Sequence, residues 1–128
     1  FHFGQYHLEY IRLDVNGESF PRVPFTPNFD EGHYLREYID GCLAGLGMDV
    51  GDKCISLSPS DWAQGYTFFV FKIAPGPLGI QSVPSSGTIR IELKFSQALA
   101  ANTSVILVAE GTSHLELDRY RNVIISKP

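Results

Sequence analysis

The chain has 128 residues, of which 44% are hydrophobic and 19% charged, and its formal net charge is −4. That length suits one domain with one sizeable core, and the balance excludes disorder over most of it. Lys and Arg are scattered singly and no apolar run approaches the ~20 residues of a membrane helix, so neither direct nucleic-acid binding nor a membrane span is expected.

Tyr6 to Val15 reads as a strand, with Ile11, Leu13 and Val15 on one face and Tyr10, Arg12 and Asp14 on the other. Asn16-Gly17 follows as a hairpin turn, because both residues accept positive φ with little strain. From Glu18 to Phe29, Pro21, Pro24 and Pro27 each remove a ladder donor, which predicts an extended edge or loop. Asn28 or Asp30 is placed to cap one short helix near residues 32–44, where Tyr34, Leu35, Tyr38, Ile39, Cys42 and Leu43 fall at helical spacing. Gly41, Gly45 and Gly47 should end it early. Met48 to Leu57 shows no clear pattern. Ser58 or Ser60 then caps a helical turn around Ser60-Asp61-Trp62-Ala63, with Pro59 where its missing donor is harmless.

Tyr66 to Ile73 is aromatic and β-branched on both faces, the pattern of a fully covered strand. Ala74 to Gly87, with Pro75, Pro77 and Pro84, reads as a long loop. In Thr88 to Ser96, Ile89, Ile91, Leu93 and Phe95 alternate with Arg90, Glu92 and Lys94, as a strand with one wet face requires. Thr103 to Glu110 is apolar on both faces through Val105, Ile106, Leu107 and Val108, which predicts a central strand covered from both sides. A short third run, His114 to Asp118, leads into Arg119-Tyr120-Arg121-Asn122-Val123-Ile124-Ile125. The sum is an all-β sandwich of antiparallel sheets with one short helix.

Chemistry has no obvious home in this pattern. His2, His7, His33 and His114 lack the close pairing of a metal site, so a cupin-like metal enzyme is the least favoured reading. Ser58, Ser60, Ser85, Ser86 and Ser104 lie in no nucleophile-elbow pattern. Cys42 and Cys54 are too few for a disulfide framework and read as two thiols in a reducing compartment. Asn102-Thr103-Ser104 matches a glycosylation acceptor, a triplet common by chance. Asp118, Arg119 and Arg121 invite an anion site, but a structural ion pair or subunit contact tying the last strand to a neighbour is favoured. Trp62 and Tyr66 offer a sugar platform beside the 74–87 loop, against which core packing is preferred.

The order of several blocks carries a resemblance. Leu13-Asp14-Val15-Asn16-Gly17, Thr26-Pro27-Asn28-Phe29, Tyr34-Leu35-Arg36-Glu37-Tyr38, Gly65-Tyr66-Thr67-Phe68, Ile91-Glu92-Leu93-Lys94-Phe95 and Asp118-Arg119-Tyr120-Arg121-Asn122-Val123 succeed one another along nearly the whole chain. In that succession the chain resembles the major capsid proteins of Polinton (Maverick) elements and related adintoviruses. The resemblance implies a jelly-roll β-sandwich, the C-terminal roll of a double jelly-roll protein. A start at Phe1 fits a fragment of such a protein. Its implied work is assembly: homotrimeric capsomers contacting other capsid subunits in an icosahedral virion shell built inside the host cell, with no enzymatic activity and no cofactor. A carbohydrate- or receptor-binding jelly-roll module is the alternative from another class, since the fold serves lectins as well as shells.

Overall fold

The computed structural model describes residues 2–49, 56–73, 87–110, 114–117 and 123–126, the last two spans by backbone only. Its regular structure is dominated by antiparallel strand. Strands β1 (Leu8–Val15), β2 (Glu18–Phe25) and β3 (Ile89–Phe95) form one sheet in the order β2-β1-β3. Strands β4 (His114–Leu117) and β5 (Val123–Ser126) form a separate antiparallel pair, with Leu115 opposite Ile125. The helical elements are short, and among the described residues no helix is long and apolar enough to cross a membrane.

The β1–β2 hairpin turns at Asn16 and Gly17, whose φ values of 53° and 89° are those the Asn-Gly pair tolerates. Asn16 also fastens β3, because its Oδ1 accepts from Thr88 N at 3.0 Å and its own N–H donates to Thr88 O at 3.1 Å. β2 is an edge strand, as its prolines require. Leu13 faces Phe20 while Ile11 faces Phe25, so two steps along β1 meet five along β2. The surplus residues hold Pro21 and Pro24, which cannot donate to a regular ladder. On the other side of β1, Leu8 faces Phe95 and Tyr10 faces Lys94, so β1 bulges between them. That bulge brings Leu8 into the same buried cluster as Ile11 and Phe25.

The helix departs from the simple expectation. α1 (Leu35–Tyr38) runs directly into a π-helical turn (Ile39–Leu43) and a 3₁₀ turn (Ala44–Leu46), and Gly47 ends the whole segment at φ 74°. Neither Asn28 nor Asp30 caps it: α1 begins after Tyr34 without a side-chain cap, and Asn28 instead accepts from Glu31 N at 3.1 Å to close a preceding turn. Gly41 and Gly45 do not stop the helical run but let another segment approach it. The Gly41 carbonyl accepts from Val70 N at 2.7 Å, and a Cβ on Gly45 would lie 2.3 Å from Val70 O. The second helix, α2 (Pro59–Gly65), has the expected start: Ser58 accepts from Asp61 N at 3.1 Å, the Asp61 carboxylate accepts from Ser58 in return, and Pro59 opens the helix.

The expected covered strand at 66–73 is not part of a sheet. Its backbone groups bond elsewhere, Thr67 N to Phe3 O at 3.0 Å and Val70 N to Gly41 O, so it lies as an extended layer between the helical segment and the sheet. The full covering expected of it is absent as well: Thr67 to Phe71 are half-buried, while Tyr66, Lys72 and Ile73 are exposed. Phe69 packs against both buried clusters, and Phe71 joins the sheet cluster while Phe68 joins the helical one. The expected central strand at 103–110 is also absent. Residues 103–110 hold no regular structure, and Val105, Ile106, Leu107 and Val108 are 57%, 70%, 68% and 90% exposed. Two apolar faces predict a covered strand only where a sheet is present to cover it, and no neighbouring described strand takes that place.

Candidate functional site

The helical cluster is built on Trp62. Its ring is fully buried and meets Tyr38 and Phe69 edge-on at 6.0 and 5.5 Å, with Phe29 and Tyr34 tilted alongside. Nε1 donates to Phe68 O at 3.0 Å, and Thr67 Oγ1 donates to Trp62 O at 2.8 Å. A buried indole needs such an acceptor. No sugar can stack on this ring, and Trp62 belongs to the core; Tyr66 beside it stays exposed. Cys42 lies in the same cluster as a free, buried thiol. Burial pushes that thiol up to about 11, away from nucleophilic use near neutrality. Burial, and then the neighbouring Cys42, also raises Tyr38, whose hydroxyl donates to Leu57 O at 2.6 Å.

The best-formed polar constellation lies on the wet face of the sheet. Arg12 stands opposite Glu92 and Asp14 opposite Arg90 across β1 and β3. Arg12 Nη2 reaches Glu92 at 2.9 Å and Asp14 at 3.2 Å, while Arg90 approaches both carboxylates at 3.7 Å. Ser19 Oγ donates to Asp14 at 2.9 Å. The two cations and two carboxylates neutralise one another, so the group serves as a cross-strand clasp and leaves no single charge aimed at a ligand. The open depressions nearby are shallow, one bounded by Asp14, Asn16, Gly17, Thr88 and Arg90, the other by residues that include His2, Gln5, His7 and Gln64.

The two sheet edges are treated differently. At β2, Arg36 donates to Val23 O at 3.0 Å and Pro24 O at 3.1 Å and lies over the Phe25 ring at 5.1 Å. Its neighbour Glu37, buried, accepts from Thr26 N at 3.1 Å just beyond that strand. The helix thereby occupies the carbonyls of the β2 bulge. At β3 the charges turn inward over β1, Lys94 Nζ at 5.4 Å from the Tyr10 ring centroid and Arg90 toward Asp14. The roles of Arg36 and Glu37 were not visible in the sequence, since a two-residue charged step on a short helix is also what a solvated face looks like.

Asp118, Arg119 and Arg121 fall between Leu117 and Val123, outside the described residues, as do Cys54, Ser85 and Ser86. Of the histidines, His7 Nδ1 lies 3.3 Å from Asp30 and His33 Nδ1 3.4 Å from Glu31. Tyr6 and His7 both hold positive φ, 47° and 56°, in a tight turn closed by Leu8 N on Gln5 O at 2.9 Å. Among the described residues, no group of three or more His, Cys, Asp or Glu is placed to hold a metal. Compared with protein-family models, curated proteins and solved structures, the chain matches none.

Proposed function

We propose that the chain is a structural capsid segment: one jelly roll, the C-terminal one, of a Polinton- or adintovirus-type major capsid protein that forms homotrimeric capsomers in a virion shell. The collinear succession of sequence blocks carries this reading. The antiparallel, strand-dominated architecture supports it, and several blocks fall on elements that define the fold. Leu13 to Gly17 ends β1 and makes the hairpin turn, Tyr34 to Tyr38 supplies α1 and the residue before it, and Ile91 to Phe95 makes most of β3. The polar groups of the sheet join strands to each other or to the helix, which is the use an assembly protein has for them. In this reading the chain is no enzyme, needs no cofactor, and has other capsid subunits as its partners. Reading the coding sequence upstream of Phe1 tests it: another jelly roll is expected there, and an upstream sequence that encodes none would overturn the assignment.

A further inference from the structure

We infer that residues 103–110 are a strand donated between copies of this chain, added to the free edge of β3 in a second copy. Nothing in this step depends on the capsid assignment. The donor segment holds four consecutive large apolar residues, all mostly exposed, of types that favour strands. Among the described residues, Ser104 to Glu110 make no backbone hydrogen bond, and the bond of Thr103 N to Ala100 O at 3.1 Å belongs to the turn before the segment. Seven residues thus present unpaired backbone groups together with an apolar surface. Exposed groups of this kind mark interaction sites, and a strand satisfies both needs at once by joining an edge.

The acceptor is identified by elimination between two edges. β2 is obstructed, because Pro21 and Pro24 lack donors and Arg36 already occupies the carbonyls of Val23 and Pro24. β3 pairs along one side with β1, contains no proline, and among the described residues has no ladder on its other side. Charges are a common guard of an edge, yet Arg90 and Lys94 are drawn over β1 toward Asp14 and Tyr10. The open edge continues a face where Ile89 is itself exposed.

Among the described residues, donor and acceptor are both unsatisfied although they lie on one chain and only a short segment apart, so the occupant proposed for each is its counterpart on a second copy. With roughly 100 Å² accessible on each large donor side chain and a similar area on the edge it covers, a reciprocal pair with two such dockings would bury on the order of 1,500 Å², within the range of a stable interface, and each contact of a ring about half that. Because the contact joins two different surfaces, it closes either by reciprocal exchange in a pair or head-to-tail in a ring.

The test places a benzophenone amino acid at Val108 and mixes isotopically light and heavy preparations of the chain before irradiation. Light-to-heavy crosslinks from position 108 to residues 89–95 are expected. The same crosslink confined to one isotope would show a hairpin within the chain and overturn the inference, as would crosslinks to segment 103–110 of another copy, to other surfaces, or none. In parallel, I106K/V108K should weaken self-association about tenfold or more while the far-ultraviolet circular dichroism stays that of the parent. Unchanged association would also overturn it. A closed pair joined through β3 would support the donation while contradicting a three-copy capsomer, so the two proposals fail separately.

Discussion

Gly45→Ala probes the way the helical segment, the 66–73 layer and the sheet are stacked. In an unobstructed helix this change stabilises by up to ~1 kcal/mol, because alanine loses less backbone freedom than glycine. Here the added Cβ would stand 2.3 Å from Val70 O, 2.5 Å from Val70 Cβ and 2.9 Å from Val70 C. Two of those three atoms are backbone, so no rotamer change clears the contact and one layer must move away from the other. That movement strains the Val70 N to Gly41 O bond of 2.7 Å and the seat of Phe69 between the two clusters. Overpacking costs ~1–3 kcal/mol and a weakened hydrogen bond ~1 kcal/mol, which leaves a net loss of about 2 kcal/mol after the propensity gain. For a domain of this size the midpoint of thermal unfolding should fall by roughly 6–12 °C. Gly47→Ala is the control: its φ of 74° carries strain, but nothing lies within 4 Å of the new Cβ, so its cost should stay near ~1 kcal/mol. Both variants are compared with the parent by urea unfolding. A Gly45→Ala protein as stable as the parent would refute the close stacking of helix and layer.

Three further outcomes follow from the same packing. Trp62→Phe removes the donor to Phe68 O while keeping a ring in the cluster, and should cost about 1–3 kcal/mol by urea unfolding; because Trp62 is the single tryptophan, the parent's emission should be blue-shifted and move red on unfolding. Cys42, with its thiol pushed up to about 11 from 9.0, favours the fold while protonated. That contribution is complete below pH 9 and is lost as pH rises from 9 through 11, so Cys42→Ala should flatten this part of the stability profile. Asn16→Ala loses both the turn residue suited to φ 53° and the acceptor for Thr88 N; about 1–2 kcal/mol of stability should go with it, measured by the same unfolding assay.

Local signals in the sequence translated well where a few neighbouring residues decide the geometry. The Asn16-Gly17 turn, the Ser58-Pro59-Asp61 start of α2, the position of strand β3 and the proline-marked edge at β2 are all of that kind. What did not translate depends on residues far apart in the chain. Tyr66 to Ile73 and Thr103 to Glu110 have similar two-sided apolar patterns, yet the middle of the first, Thr67 to Phe71, is half-buried, with its phenylalanines packed on the helical and sheet clusters, while the second is exposed. The pattern states that both faces want cover and is silent on who supplies it. Gly41 and Gly45 misled for a related reason: propensity treats glycine as a helix stop, whereas here the missing Cβ admits the rings of Phe25 and Phe69 at Gly41 and Val70 at Gly45, all distant in the chain. The burial of Trp62 was legible from composition. The Arg36 bond to the β2 carbonyls was not, because it needs a bulge whose position only the paired strands define.

Sedimentation equilibrium of the unmodified chain tests most directly the proposal that it assembles with itself. The account predicts a concentration-dependent rise from the 14.2 kDa of one chain to a plateau at three times that mass. A single species of one-chain mass at every concentration would contradict it.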